Sequence, residues 1–165
     1  MDIEHIVHPI PPLYDGCSRV LILGSFPSRA SRAAAFFYGH PRNRFWPLIA
    51  RITGESVPQT VEEKRALALR HGIALWDVIA SCDIRGSSDS SIANVKANDI
   101  SAILKAAPIA AIFTNGATST KLYEKYILPA TGAPSIPMPS TSPANAAMDL
   151  DALYERWAAV ARYLK

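Results

Sequence analysis

Four short apolar runs punctuate the chain, and each stops at small or polar turn residues. They are RVLILGS (19–25), GIALWDV (72–78), IAAIFTNG (109–116) and a shorter one within PSIPMPS (134–140). Runs of this length, flanked by Gly, Asn, Ser and Pro, predict strands buried on both faces. Helical patterns lie between and after them. NRFWPLIARITG (43–54) has Asn43 as a candidate N-cap and Gly54 as a terminator, and TVEEKRALALRHG (60–72) carries a capping box from Thr60 to Glu63. NDISAILKAAP (98–108) and a stretch near 117–127 follow. DLDALYERWAAVARYLK (149–165) places Leu150, Leu153, Trp157, Val160, Ala161 and Leu164 on one stripe. Strands alternating with helices predict an α/β fold, a parallel sheet covered by helices on both faces. CDIRGSSDSS (82–91) reads as a polar loop, and no repeat or boundary divides residues 1–165, so a single domain is expected.

Composition narrows the function classes. The chain has 165 residues, 49% hydrophobic and 19% charged, which suits a packed globule rather than a disordered segment. No apolar run approaches membrane-spanning length. The start, MDIEHIVHPIPPLYDG, has neither a basic n-region nor an apolar h-region, so a cytoplasmic, intracellular protein is expected. Cys17 and Cys82 lack CxxC spacing and are too few for an iron–sulfur cluster; His5, His8 and His71 are scattered. No metal and no cofactor are expected.

The densest chemistry lies in FFYGHPRNRFW (36–46), where five aromatics share eleven residues with Arg42, Arg44, His40 and Asn43. From Gly16 to Gly54 there is no acid, while Arg19, Arg29, Arg32, Arg42, Arg44 and Arg51 all occur there. A field of that sign suits a polyanion, or is merely a solvated basic face. In open α/β sheets the site lies beyond the carboxyl ends of the strands. Those ends carry Gly24, Ser25 and Phe26, then Asp77, then Asn115, then Ser140, Thr141, Ser142 and Asn145. Neither GxxxxGK[ST] nor GxGxxG occurs, so the phosphate-cradling classes are excluded. An aromatic pocket with Asp and Asn, rimmed by arginine, suits a flat hydrogen-bonding group on a phosphate backbone, as a flipped nucleobase is.

Three segments, LILGSFPS (21–28), FFYGHPRNRFWPLI (36–49) and PSTSPANA (139–146), resemble motifs of the uracil-DNA glycosylase superfamily, nearest its hypoxanthine-DNA (deoxyinosine) glycosylase branch. Mismatch-specific uracil glycosylases share a similar HPxNRFW segment. The resemblance implies a three-layer α/β/α sandwich with a four-stranded parallel sheet. It implies hydrolysis of the N-glycosidic bond of a deaminated base extruded from DNA, with no cofactor. Many relatives place a water-activating Asn or Asp where Phe26 stands here. In the hypoxanthine branch the catalytic amide is instead the Asn of GHPxN, which is Asn43.

Each residue has a bland alternative. Asn43 is the water-orienting amide or only a helix cap. Tyr38 stacks on the base or is a core tyrosine. Gly24, Ser25 and Phe26 line the base pocket or form an ordinary strand end. Asp77 reads the base, its ionised carboxylate only accepting hydrogen bonds and so matching the N1–H of hypoxanthine, or it is a turn residue. His40, Arg42, Arg44, Ser140, Ser142 and Asn145 bind DNA, or belong to a basic face and a proline-rich loop. Ala144 stands where a bulky wedge is usual. The expectation is a monomeric, monofunctional glycosylase acting on DNA, hypoxanthine first, with uracil or mismatched bases as the alternative. A silent DNA-binding module and a small-molecule nucleoside hydrolase are the rivals from other classes.

Overall fold

A computed structural model describes every residue except Met1 and Ser87, the latter inside the stretch expected to be a polar loop. Its centre is β2 (Val20–Gly24), and the strand is apolar throughout because it is covered twice. Val20 and Ile22 point into a core with Phe45, Leu48, Leu67 and Trp157, whereas Leu21 and Leu23 point into a second with Ile103, Ile112 and Tyr123. Side chains alternate across a strand, so two opposed cores demand an unbroken apolar run. With β3 (Ile73–Asp77), β6 (Ala111–Asn115) and β7 (Ile136–Met138), β2 forms the expected four-stranded sheet, parallel throughout, in the order β3-β2-β6-β7.

The helices cover both faces. α2 (Phe45–Thr53), α3 (Val61–Arg70) and α5 (Leu150–Trp157) supply the first core, and α4 (Ser101–Ala106) contributes to the second. Pro47 sits in the first turn of α2, where its missing N–H has no intrahelical partner to lose. Gly54 closes that helix at φ 73°, a left-handed conformation open to glycine. After Trp157 the C-terminal helix tightens into a 3₁₀ turn over Ala158–Tyr163. At three residues per turn, Val160 follows Trp157 into the core while Ala161 rotates out to solvent, off the predicted stripe.

Two expectations are corrected. First, the polar loop 82–91 is largely ordered backbone. β1 (Ile3–Val7), β4 (Ile79–Arg85) and β5 (Ala93–Ala97) form a separate antiparallel sheet in the order β1-β4-β5, and Asp89–Ser91 make a short 3₁₀ turn. Only Ile79, Cys82 and Ile84 of β4 are buried, so its sequence lacks the continuous apolar signature of the central strands. Second, Asn43 is not the cap residue. Arg44 occupies the position before α2, although the Asn43 side chain still accepts the Phe45 N–H at 2.9 Å.

Candidate active site

Because β3, β2, β6 and β7 run parallel, their carboxyl ends deliver Asp77, Gly24, Asn115 and the 139–146 loop to one edge, where a cavity of about 220 Å³ opens. Ser25 and Phe26 line it just beyond β2; Tyr38, His40 and Asn43 enter from the stretch before α2; Ser140 and Ser142 close the far side. Arg42 is exposed nearby, outside the lining. The segment between α1 (Arg29–Ala34) and α2 is held by Trp46, whose indole N–H donates to the Phe37 carbonyl at 3.0 Å. Gly39 N–H donates to the Ser31 hydroxyl at 2.9 Å.

A polar chain fixes Asn43. Asn115 clamps Thr141 twice: its Nδ2–H donates to Thr141 Oγ1 at 3.0 Å, and its Oδ1 accepts the Thr141 N–H at 3.1 Å. The fully buried Thr141 then donates its hydroxyl proton to Asn43 Oδ1 at 2.9 Å. Asn43 Oδ1 therefore accepts twice, from Thr141 and from Phe45 N–H, which accounts for both lone pairs. A water can use that oxygen only if the Thr141 hydroxyl turns its proton away.

The other end of the cavity is built around Asp77, only 5% exposed. Its Oδ2 accepts from His8 Nε2 at 2.8 Å, while its Oδ1 lies over Gly24. A Cβ at Gly24 would sit 2.5 Å from Asp77 Oδ1 and 3.5 Å from the Tyr38 hydroxyl, so both polar groups converge on a space that only glycine leaves open. Among the described residues the solvent-sealed Tyr38 hydroxyl meets no hydrogen-bond partner. Burial, reinforced by the charge of Asp77 and partly offset by the neighbouring Asn115, pushes its pKa well above the phenolic range, so it remains a neutral donor. Tyr38 stacks on Phe45 at 3.9 Å between centroids and 19° between planes, so Phe45 takes one face of its ring. Its φ of 55° is unusual for a residue with a bulky side chain.

Asp89, from the 3₁₀ turn, also lines the cavity and accepts from the Ser25 hydroxyl at 3.3 Å. Desolvation above all, and the nearby Asp77 charge, raise its carboxyl above the usual carboxylate range. Asp89 and Thr141 line the pocket and His8 lies behind Asp77; the sequence had assigned a role to none of the three. Thr141 had a signal, since it stands inside PSTSPANA; the other two lie in segments with no motif.

Arg44 and Asn145 depart from the expected phosphate-binding role. The Arg44 guanidinium donates to the carbonyls of Thr141 at 3.3 Å, Ser142 at 2.7 Å and Asn145 at 3.0 Å, and also to that of Met148. Its N–H fork is spent holding the 141–148 loop. Asn145 Nδ2–H donates to the Ser140 carbonyl at 3.0 Å and braces the same loop. Trp157 completes the support, its indole N–H donating to the Pro139 carbonyl at 2.9 Å. Among the described residues no three His, Cys, Asp or Glu side chains gather as metal ligands.

Comparison with known proteins decides the family. Residues 11–162 match the family model described as the uracil DNA glycosylase superfamily. This chain belongs to that superfamily. A hypoxanthine DNA glycosylase of Methanosarcina acetivorans is 33% identical over 154 residues, 93% of this chain and 96% of the relative. Another, from Methanosarcina barkeri, is 36% identical over 137 residues, 82% of this chain and 85% of the relative. A solution NMR structure from Methanosarcina acetivorans, described as a candidate uracil DNA glycosylase, superposes with a TM-score of 0.80 at 32% identity, covering 95% of this chain and 98% of that one.

Proposed function

We propose that this superfamily member is a monofunctional DNA glycosylase that takes a deaminated base, hypoxanthine first, out of the helix and into the cavity, then hydrolyses its bond to deoxyribose. The observation that carries this reading is the pairing of an acceptor-only carboxylate oxygen, Asp77 Oδ1, with the Tyr38 hydroxyl, unpartnered among the described residues, over Gly24. Hypoxanthine presents a donor, N1–H, beside an acceptor, O6. Asp77 accepts the first and Tyr38 donates to the second. Adenine offers the reverse order, an acceptor beside a donor, and leaves both buried protein groups unpaired, which is the costly outcome. The two relatives named hypoxanthine DNA glycosylase support the same base.

The carboxylate selects the base rather than helping it depart, because its charge opposes the one developing on the leaving ring. The Tyr38 donor meets that charge at O6. As the C1′–N9 bond breaks, its electron pair goes to the base, and the sugar becomes oxocarbenium-like. Water adds to C1′, its oxygen forming the new bond and its second proton ending on the departing base. Asn43 holds this water: the Thr141 hydroxyl turns toward it and releases one lone pair of Asn43 Oδ1 to accept from it. Phe45 N–H keeps the amide aimed throughout. Among the described residues no lysine lines the cavity, so this reading gives water, not a Schiff-base amine, the nucleophilic role.

Single-turnover assays of wild type and Asn43→Ala test the reading on oligonucleotides containing inosine, uracil, xanthine or mismatched thymine. Inosine is expected to be cleaved fastest, with Asn43→Ala slower by roughly 100-fold or more. Binding of inosine duplexes without abasic-site formation would establish the silent-module reading instead. Hydrolysis of free deoxyinosine at a comparable rate, insensitive to salt, would establish a nucleoside hydrolase.

A further inference from the structure

His8 belongs to the segment that follows β1, far from every motif, yet it sits under the pocket. The segment is anchored on both sides. His8 N–H donates to the Ala80 carbonyl at 2.7 Å, Leu13 and Leu75 exchange backbone bonds at 2.9 Å, and the Trp76 indole N–H reaches the Ile10 carbonyl at 3.1 Å. The His8 side chain is only 3% exposed. Its ring meets Phe26 edge-on at 5.8 Å and Trp76 at 6.2 Å, so neighbours on both sides hold its plane.

The tautomer follows from the backbone. His8 Nδ1 accepts the Ile10 N–H at 3.2 Å, so the proton of the neutral ring lies on Nε2, which faces Asp77 Oδ2 at 2.8 Å. We propose that His8 is a positioning residue for base selection: its Nε2–H occupies one oxygen of Asp77 and leaves the other as a fixed, acceptor-only reader over Gly24. This inference rests on the glycosylase reading and deepens it. Without that donor, the Asp77 carboxylate can rotate, and its reading oxygen leaves the line toward Tyr38. A pocket that demands a base N–H loses the demand. His8 touches no substrate atom; it acts through Asp77.

The test compares wild type, His8→Phe and His8→Gln. The Phe variant keeps a ring between Phe26 and Trp76 but has no donor, whereas the Gln variant keeps an N–H at the position of Nε2. Single-turnover inosine excision is expected to fall roughly 10- to 100-fold in His8→Phe, the effect of one hydrogen bond to a charged group. It should return to within a few-fold of wild type in His8→Gln. Affinity for a duplex carrying an abasic site, which leaves the base pocket empty, should be the same in all three. Equal inosine excision by wild type and His8→Phe overturns the proposal, as does failure of the Gln variant to restore it while folding and abasic-site affinity are intact. ¹⁵N NMR of the imidazole supplies a readout independent of activity and of how the His8 variants fold. Wild type should show a protonated Nε2 whose proton is protected from exchange, with that protection lost in Asp77→Ala. A proton on Nδ1, or protection indifferent to Asp77, overturns the assignment. Wild-type inactivity on every base would remove the glycosylase reading while the NMR result still decides whether His8 holds Asp77.

Discussion

Replacing Gly24 by alanine isolates the geometry of base reading in one methyl group. Gly24 is absent from the positive-φ glycines, so its backbone suits any residue and the substitution adds no dihedral strain. What it adds is a carbon 2.5 Å from Asp77 Oδ1, about 0.9 Å inside the 3.4 Å at which ordinary contact begins. The clash cannot be relieved freely, because Asp77 is buried and tied to His8 at 2.8 Å, while Gly24 lies within the parallel ladder opposite Asp77. Either the carboxylate swings away from the reading position or the His8 bond stretches. A displacement near 1 Å at a reacting site costs about 100-fold in rate, and overpacking costs about 1–3 kcal/mol of stability. Gly24→Ala should therefore excise inosine about 100-fold more slowly in single-turnover assays, while a urea melt shows a folded protein with a modestly lower midpoint. The Ser25 hydroxyl and the exposed Arg42 are untouched, so duplex affinity should hold. If Gly24→Ala excises inosine within threefold of wild type, Asp77 Oδ1 is not where the base is read, and the reading assigned to Asp77 and Tyr38 is refuted.

The two arginines flanking Asn43 should separate cleanly. Arg44→Met removes the fork holding the 141–148 loop and should cost about 1.5–3 kcal/mol in a urea melt, whereas exposed Arg42→Ala should leave stability alone and lower the salt slope of duplex binding by about one. Away from the site, Arg70 and His71 hold the Glu55 carboxyl down from 4.5 to about 2. A depressed carboxylate stabilises above its unfolded value and loses that contribution as pH falls through the folded one. Melting temperature should thus decline between pH 4.5 and about 2. Glu55→Gln should flatten that part of the decline, and an unchanged acid limb would remove Glu55 from the account.

The central sheet was legible because its signal is local. β2, β3 and β6 are covered on both faces, so their own residues record that burial as apolar runs, whereas edge strand β7 buries only Met138. The helix starting at Phe45 was legible to within two residues, and the offset has a cause: the Asn43 side chain accepts the Phe45 N–H while Arg44 holds the cap position. The antiparallel β1-β4-β5 sheet was not legible, since only three buried residues of β4 anchor it and its polar positions read as loop.

The sequence by itself determined the fold class, the family and the candidacy of Asn43, Tyr38 and Asp77, all of which depend on neighbours within a few residues or on motifs in order. Only the tertiary structure decided what those side chains are bonded to. His8 and Asp77 are 69 positions apart, and Asn43 and Thr141 are 98 apart. Arg44 became a loop clamp, and Asn43 acquired two donors, because the 139–146 loop folds back beside α2. Hydrogen bonds form between groups that chain folding brings within about 3 Å, and no local pattern of residue types encodes which distant partner arrives there.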